Sequence, residues 1–222
     1  MIVLPARNEG PRVGAVVSAV RRALPGVAVV VVVNGTTDDT PARARAAGAT
    51  VLYSGAGYAR ALRAGFAHAL ESGAPWVVQM DADGQHPASA VPGLVAALRD
   101  ADLVVGSRFL GPPGYRVPLH RRAAIGVLAA WASAFAGQRL VDVTSGLRAW
   151  RGEALAELVA DYPDEVADAN VLVRAVRRGL RVREIPVAMR ARVGGASMHD
   201  DTPRSALFAL RMAALTAQEG MR

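Results

Sequence analysis

The fold is decided by one stretch of sequence, VAVVVVVNGTTDD at residues 27–39. Residues 27–33 form an unbroken apolar run, which is typical of a strand buried on both faces of a parallel sheet. Polar residues follow at once, where such a strand would end. Similar apolar runs predict further strands, and the full predicted set is 2–5, 27–33, 50–53, 76–80, 103–106 and 182–187.

Helix-like segments separate these strands. Breakers such as Pro25-Gly26, Gly48 and Gly179 fall between the predicted elements, where the chain must reverse. The predicted helices span residues 13–24, 40–47, 58–71, 88–99, 121–136, 153–161, 165–178 and 204–217. Because strands and helices alternate, we expect a Rossmann-like, three-layer α/β/α fold with a mostly parallel central sheet.

The composition restricts the function classes. The chain has 222 residues, of which 52% are hydrophobic, so we expect one folded domain over residues 1–222. It has no cysteine, which excludes disulfides and thiolate metal sites. All 26 basic residues are arginine, and the net charge is +7. This bias is typical of a GC-rich genome, and interleaved aromatic residues are lacking, so no nucleic-acid partner is expected.

Localisation is predicted from apolar runs and leaders. Met1 leads directly into a predicted strand, and no apolar run reaches the roughly 18–20 residues that a membrane-spanning helix needs. We expect a cytoplasmic protein that is either soluble or peripheral on the inner face of the membrane. The segment 121–136 fits a buried core helix, but Trp131 and the flanking Arg116, Arg121 and Arg122 also fit a membrane interface.

Three polar clusters follow predicted strands, at residues 5–9, 34–38 and 81–86. Ligands of open α/β sheets bind beyond the carboxyl ends of the strands, so these clusters predict a binding site at one edge. In the third cluster, Asp81 and Asp83 are two residues apart, and Gln85 adds an amide oxygen. Such oxygens suit Mg²⁺ or Mn²⁺ on a diphosphate. An isolated pair would be read as an ordinary Asp-Gly turn, and the companion clusters favour the metal site.

A further polar segment, residues 142–148, combines an acid, hydroxyls, a glycine and an arginine. Asp142 is either the acceptor of a capped loop or a general base, and we favour the base. Glu165 and Asp168 are weaker candidates for that role. The stretch 190–199 reads either as a lid or as surface arginines in a loop, and His199 either completes a metal shell or is polar surface.

Together the clusters resemble a known family, the family 2 glycosyltransferases with a GT-A fold, and in particular the dolichyl- and polyprenyl-phosphate sugar synthases. The matching segments are residues 2–9, 32–40, 57–65, 81–87, 105–109, 142–148 and 184–187. The resemblance implies a nucleotide-sugar-binding half over 1–110, and an acceptor-binding half with a C-terminal lid and helix over 111–222.

The resemblance also implies roles for individual residues. It implies that the nucleotide sugar is bound by Pro5, Ala6, Asn8, Glu9, Asn34, Asp81, Arg192 and Ser197. It implies that Asp81, Asp83 and Gln85 hold the metal, which gives Asp83 a catalytic role beside the one expected of Asp142 as a base. The family usually has two aspartates where this chain has Val33-Asn34, so the base stays open between uridine and guanosine.

The expected function is therefore metal-dependent, inverting transfer of a sugar from a nucleoside-diphosphate sugar of the GDP-mannose or UDP-glucose type. One candidate acceptor is a lipid phosphate at the membrane surface, such as a polyprenyl phosphate. The alternatives are a glycosyltransferase acting on a soluble hydroxyl acceptor, which needs a base, and a non-catalytic nucleotide-sugar-binding subunit. A sugar-nucleotide pyrophosphorylase is disfavoured, because residues 5–9 lack the Gly-rich loop of that class.

Overall fold

The computed structural model describes residues 1–191 and 202–221, with residues 202–206 described by their backbone alone. The strands are β1 Ile2–Ala6, β2 Val29–Asn34, β3 Thr50–Ser54, β4 Trp76–Gln79, β5 Leu103–Ser107, β6 Arg148–Arg151 and β7 Val182–Pro186. The helices are α1 Gly10–Ala23, α2 Thr40–Ala46, α3 Tyr58–Glu71, α4 Val91–Ala97, α5 Leu119–Ala136, α6 Gly152–Val159, α7 Ala169–Arg177 and α8 Thr202–Met221.

The strands form one seven-stranded sheet in the order β3-β2-β1-β4-β6-β5-β7. Strand β6 runs antiparallel to both β4 and β5, and the other pairs are parallel. Arg148, the first residue of β6, lies opposite Gln79 and Val105, near the carboxyl ends of β4 and β5. The segment before β6 therefore reaches the same edge as the segments that come after β4 and β5.

Both faces of the central strands are covered. Val30 and Val32 of β2 pack in one core with α3, α5 and α7, whereas Val31 and Val33 pack in another with α1 and α4. Every residue of β1 and β2 is buried. This alternation with period two explains why the strands read as continuous valine runs. The predicted three-layer α/β arrangement with a mostly parallel sheet is confirmed.

Three local predictions were wrong. Strand β6 was not predicted, because four residues with an arginine at each end do not form an apolar run. The predicted helix 88–99 is a short 3-10 helix, Ala88–Ala90, followed by α4. Helix α7 begins at Ala169, since Asn170 accepts a hydrogen bond from the Asp168 amide and donates one to the Val166 carbonyl, which competes with helical pairing.

None of the helices within the described ranges is long and apolar enough to cross a bilayer.

Helix α3 lies unusually close to the sheet at Gly65. A Cβ atom at this position would be 2.4 Å from Val3 Cγ1 and 3.0 Å from Val32 Cγ2. Both valines are buried in the interior of the sheet and cannot move aside freely. Gly65 therefore sets the distance between α3 and β1, and with it the place where α3 begins at the edge of the sheet.

We predict that Gly65→Ala lowers the free energy of unfolding by about 1–3 kcal/mol, because the added methyl overpacks the contact with Val3. Chemical denaturation measures this change. Gly93→Ala is the matched control, since a Cβ there meets nothing within 4 Å. In helix α4 it should be neutral or stabilising by up to about 1 kcal/mol. Equal effects of the two substitutions would contradict the packing argument.

Candidate active site

The loops after β1 and β2 are joined by hydrogen bonds. The Asn8 amide donates to Thr36 Oγ1 at 3.2 Å, and the Thr37 amide donates to Asn8 Oδ1 at 2.9 Å. Asn8 has a φ of 54°, in the left-handed region that asparagine tolerates. The Gly10 amide donates to Asp38 Oδ2 at 2.9 Å. Burial alone would raise the pKa of Asp38, but hydrogen bonds from Thr40 and Gly10 lower it, so this carboxylate is ionised.

The predicted nucleotide-binding residues lie in this corner of the sheet edge. Pro5 and Ala6 are buried at the end of β1, and the Asn34 amide donates to the Ala6 carbonyl at 3.3 Å. Glu9 is buried at the start of α1 and pairs with Arg12 at 2.8 Å. The structure thus brings Pro5, Ala6, Asn8, Glu9 and Asn34 together at the carboxyl ends of β1 and β2 and in the loop after β1.

The acidic turn after β4 lies next to this corner. The side chain of Asp81 is 32% exposed and accepts a hydrogen bond from the Tyr58 hydroxyl at 3.0 Å. Asp83 is nearly buried, and its Oδ1 accepts the Gln85 amide at 3.0 Å. The side-chain nitrogen of Gln85 donates to the Arg190 carbonyl at 3.3 Å, and its amide oxygen is not used in that bond.

Gly146 presses directly against this turn. A Cβ atom there would be 2.8 Å from Asp81 Oδ2 and 3.0 Å from the Tyr58 hydroxyl oxygen. Gly146 belongs to the segment before the antiparallel strand β6, which carries it to the edge where β4 ends. A glycine is required here because a side chain would displace the carboxylate.

His86 is a buried, neutral member of the same turn. Burial lowers the pKa of His86 to about 4. Its Nδ1 accepts the Asp81 amide at 3.0 Å, which requires that nitrogen to carry no proton. His86 Nε2 lies 3.8 Å from Asp81 Oδ2, but with a neutral ring this contact is not an ion pair. His86 therefore shapes the turn and does not add positive charge to it.

The donor set of the turn fits a hard divalent cation. Two carboxylates and an amide oxygen lie within five residues of chain, between 81 and 85. Within residues 1–191 and 202–221, no group of three or more His, Cys, Asp or Glu side chains is placed to hold a metal. Mg²⁺ and Mn²⁺ commonly bind through one or two carboxylates plus substrate phosphates, so an incomplete protein shell agrees with such a site.

Asp142 and Arg108 form a buried ion pair beside the acidic turn. Asp142 is fully buried, and its Oδ2 accepts the Arg108 backbone amide at 2.7 Å and Arg108 Nε at 2.8 Å. Its Oδ1 accepts Arg108 Nη2. Although burial alone would lower it, this contact raises the pKa of Arg108, so the guanidinium stays charged. The role of Asp142 as a general base stays a prediction, and these contacts favour positioning of Arg108.

Glu184 of β7 holds Asp142 in turn. Its two carboxylate oxygens accept the backbone amides of Val141 and Asp142, each at 2.7 Å. Burial raises the pKa of Glu184, and those two amide donors partly offset this effect. A chain of contacts therefore runs from β7 through Asp142 to Arg108.

Arg108 also lines a cavity of about 380 Å³. Arg108 and Arg122 both lie over the Phe109 ring, with their Cζ atoms 5.4 and 5.9 Å from its centroid. The other lining residues are Gly111, Pro113, Tyr115, Arg116 and Val117. Among the described residues, the lining includes three arginines and no acid, so the cavity suits an anionic group attached to an apolar one.

Some predicted site residues do not join this arrangement. The side chain of Glu165 is half exposed and pairs with Arg211. Asp168 lies at the margin of the arrangement, since its Oδ1 is 4.0 Å from buried Arg148 and its charge acts on Tyr58. Arg192, Ser197 and His199 lie outside the described residues.

Several residues of the site were not proposed from their chemistry. Arg108 and Glu184 were noted only within segments that resemble the family. Arg108 directly follows a buried strand, which is the same signal that predicts the other polar clusters. Tyr58, His86 and Gly146 carry no sequence signal for their contacts, because each depends on which loops the sheet brings together.

Residues 1–142, more than half of the chain, match the protein family described as "Glycosyl transferase family 2". The chain belongs to glycosyltransferase family 2. This membership confirms the predicted family and the predicted class of enzyme.

Two relatives of this glycosyltransferase support the predicted branch. The chain is 32% identical over 196 residues to a dolichyl-phosphate hexose transferase from Haloferax volcanii, covering 87% of this chain and 83% of that protein. It is 31% identical over 222 residues to a polyprenol monophosphomannose synthase from Mycolicibacterium smegmatis, covering 94% and 84% of the two chains. The predicted resemblance to polyprenyl-phosphate sugar synthases is therefore confirmed.

A solved structure supports the fold. The glycosyltransferase superposes on glucosyl-3-phosphoglycerate synthase from Mycobacterium tuberculosis, solved with Mn²⁺, uridine diphosphate and phosphoglyceric acid, with a TM-score of 0.74. The match covers 99% of this chain and 77% of that chain at 21% identity. At this identity the likeness shows the fold, and the predicted GT-A fold is confirmed.

We predict that Gly146→Ala slows glycosyl transfer about tenfold to a hundredfold, because the methyl would displace the Asp81 carboxylate by a fraction of an ångström or more. Initial rates at saturating donor measure this loss, and thermal unfolding checks that the fold is kept. Gly93→Ala, which meets nothing within 4 Å, is the control and should keep the wild-type rate. A wild-type rate in Gly146→Ala would show that the position of Asp81 is unimportant.

Proposed function

We propose that this glycosyltransferase moves a hexose, with inversion, from a nucleoside-diphosphate sugar to a polyprenyl phosphate, assisted by Mg²⁺ or Mn²⁺. The observation that carries this proposal is the cationic cavity at Arg108 and Arg122 next to the acidic turn of Asp81 and Asp83. Arg108 binds Asp142 and Thr144, and Gly146 of the same segment lies against Asp81, so the two regions adjoin. A site for a metal-bound diphosphate thus adjoins a site for a second anion.

The donor belongs to the half formed by residues 1–110. The corner at Asn8, Glu9 and Asn34 is proposed to hold the nucleoside, and the turn at Asp81 and Asp83 the diphosphate, with Gln85 as a further metal ligand. Donors of the GDP-mannose and UDP-glucose type both agree with the relatives, one of which is a polyprenol monophosphomannose synthase and one of which was solved with UDP-glucose. Arg192 and Ser197 remain predicted phosphate contacts.

The acceptor belongs to the half formed by residues 111–222 together with Arg108. An acceptor phosphate oxygen forms a bond to the anomeric carbon, and the bond from that carbon to the diphosphate oxygen breaks with its electron pair staying on the diphosphate. A bound divalent cation would neutralise the charge of the leaving diphosphate. Arg108 and Arg122 hold the acceptor phosphate on one side of the anomeric carbon. Asp81 and Asp83 keep the leaving diphosphate on the opposite side, which gives inversion.

The choice between a phosphate and a hydroxyl acceptor depends on the base. A phosphate is already anionic and needs no base, whereas a hydroxyl does. The predicted base Asp142 is buried, and Arg108 engages both of its oxygens. We therefore propose that Asp142 positions Arg108, and that the acceptor is a lipid phosphate reached from the cytoplasmic face of a membrane. A non-catalytic role is set aside by membership of an enzyme family.

We predict that transfer from GDP-mannose or UDP-glucose with Mn²⁺ occurs to a short, water-soluble isoprenyl phosphate and not to the corresponding isoprenyl alcohol. Product formation is measured by chromatography of the radiolabelled sugar. Arg122→Gln should raise the acceptor KM about tenfold to a hundredfold, since a charge-assisted contact to phosphate is lost.

The matched control is Arg139→Gln, which removes an equally charged, exposed arginine outside the cavity and should leave KM unchanged. Efficient transfer to the alcohol, or an unchanged KM in Arg122→Gln, would overturn the phosphate acceptor.

We predict that Asp83→Ala lowers the transfer rate by at least about a hundredfold, because the charge of the leaving diphosphate is no longer neutralised in place. Chelation of the divalent cation in the wild type should produce a loss of similar size, and adding Mn²⁺ should reverse it. Asp100→Ala is the control, since Asp100 is an exposed carboxylate that precedes β5 and lies 3.8 Å from Arg183. Wild-type turnover in Asp83→Ala would contradict the proposed metal site.

A further inference from the structure

Large apolar side chains are exposed on two neighbouring helices, α5 and α8. Val127 is 73% exposed and Trp131 45% exposed on α5, whereas Leu207 and Leu210 are 69% and 71% exposed on α8. Exposed apolar residues scattered singly need no explanation, but a contiguous patch marks an interaction surface. The α5–α8 face, as we call it, consists of His120, Ala124, Val127, Trp131, Ala134, Leu207, Leu210 and Ala214.

The α5 part of this face is one continuous stripe. Its members are spaced by alternating steps of four and three residues from His120 to Ala134, which places them on one side of an α-helix. The opposite side, with Ile125, Ala129 and Ala132, is buried against the core. Helix α5 is therefore apolar on the side that faces away from the protein as well as on the side that packs.

Contacts between the helices show that the α8 part continues the stripe. The Trp131 indole nitrogen donates to the Ala213 carbonyl at 3.1 Å, and a Cβ at Gly220 would meet the Phe135 ring at 2.4 Å. The two helices therefore run in the same general direction. One turn before this contact come Val127 on α5 and Leu210 on α8, so their exposed side chains belong to adjacent turns.

The charges around the face are mainly positive, and the half-exposed carboxylate of Glu165 is paired with Arg211 of α8. Residues 119–136 contain no aspartate or glutamate, and Arg116, Arg121 and Arg122 lie at the start of α5. On α8, Glu219 is buried in an ion pair with Arg174. The face thus combines exposed apolar side chains, a tryptophan whose indole N–H is bonded to protein, and a cationic end, a combination that matches an anionic lipid surface.

The face is continuous with the acceptor cavity. Arg122 lines the cavity and lies on the first turn of α5, between exposed Leu119 and the rest of the helix. A polyprenyl phosphate presents its phosphate at the membrane surface and keeps its chain in the bilayer. A protein lying on the membrane by this face would bring the cavity to the level of the phosphate.

We propose that the α5–α8 face is the surface by which this protein lies on an anionic bilayer, an inference that rests on the proposed lipid-phosphate acceptor. Apolar side chains would enter the headgroup region, and the arginines at the start of α5 would contact lipid phosphates. A second copy of the chain is a less suitable occupant, because the same face of a partner offers no aspartate or glutamate of residues 119–136 to pair with the arginines near the start of α5.

The test is flotation of the full chain with vesicles of phosphatidylcholine containing roughly one-third phosphatidylglycerol. The wild type should bind, and raised salt should weaken the binding. The double variant Val127→Ser/Leu210→Ser should bind at least about tenfold more weakly. Tyr53→Ser is the matched control, since Tyr53 is 64% exposed on the edge strand β3, away from this face, and its loss should not alter binding.

Activity separates this inference from the proposed function. On a short, water-soluble isoprenyl phosphate the double variant should keep the wild-type rate, and on a long polyprenyl phosphate in vesicles it should lose about tenfold. Unaltered vesicle binding by the double variant overturns the docking surface, whether or not the chain uses prenyl phosphates. Vesicle binding by the wild type without transfer to any prenyl phosphate would overturn the proposed function and still support the docking surface. A third outcome is that the wild type does not bind vesicles but forms a dimer in solution that the double variant abolishes. This result would identify a second copy as the occupant and overturn the proposed binding to a bilayer.

Discussion

The constraint on which the rest of the structure depends is the coverage of the sheet on both faces. Along β1 and β2 every side chain is buried, so a polar group in mid-strand would lose its hydration without gaining a partner. The buried polar residues of the sheet accordingly lie where strands end or begin, at Asn34, Gln79, Ser107 and Arg148. All four are at the same edge. Asn34 and Gln79 donate to carbonyls of neighbouring segments, and Ser107 and Arg148 make hydrogen bonds within their own loops. Functional polar groups lie at this edge because the helices on both faces bury the middle of the central strands.

The reversal of β6 gives that edge its second set of residues. A parallel strand contributes the residues after its last position, whereas an antiparallel strand contributes the residues before its first position. Strand β6 lies between β4 and β5, so the segment 142–147 arrives beside the turn after β4 and the residue after β5. This explains how Gly146 contacts Asp81 and how Asp142 binds Arg108, although the partners are far apart in sequence. The acidic turn at Asp81 follows a strand end, whereas Arg108 and Asp142 come from the end of one strand and the segment before another.

Sequence patterns predict the first of these sets and miss much of the second. The valine run of β2 and the polar residues after it are local signals, and they led correctly to the sheet, its layers and the corner at Asn8 and Asn34. Strand β6 has no such signal, since it is short and its burial depends on Trp150 packing between neighbours that come from other parts of the chain. The partner of Asp142 could not be predicted for the same reason. An aspartate next to hydroxyls and a glycine looks reactive, and its burial by Arg108 depends on a pairing 34 residues away.

The Asp142–Arg108 pair gives Arg108 a different role in the cavity from that of the other arginines of the lining. A buried ion pair has little net charge at a distance, so Arg108 attracts an incoming anion less than an unpaired arginine would. The pair instead provides direction, because Nε, Nη2 and the backbone amide are all held by one carboxylate that Glu184 fixes from β7. Net attraction must then come from Arg116 and Arg122, which line the same cavity. Arg122 shares the Phe109 ring with Arg108 and lies at the exposed start of α5. An acceptor phosphate would therefore be attracted by Arg116 and Arg122 at the surface and oriented by Arg108, whose side chain Asp142 holds in one orientation.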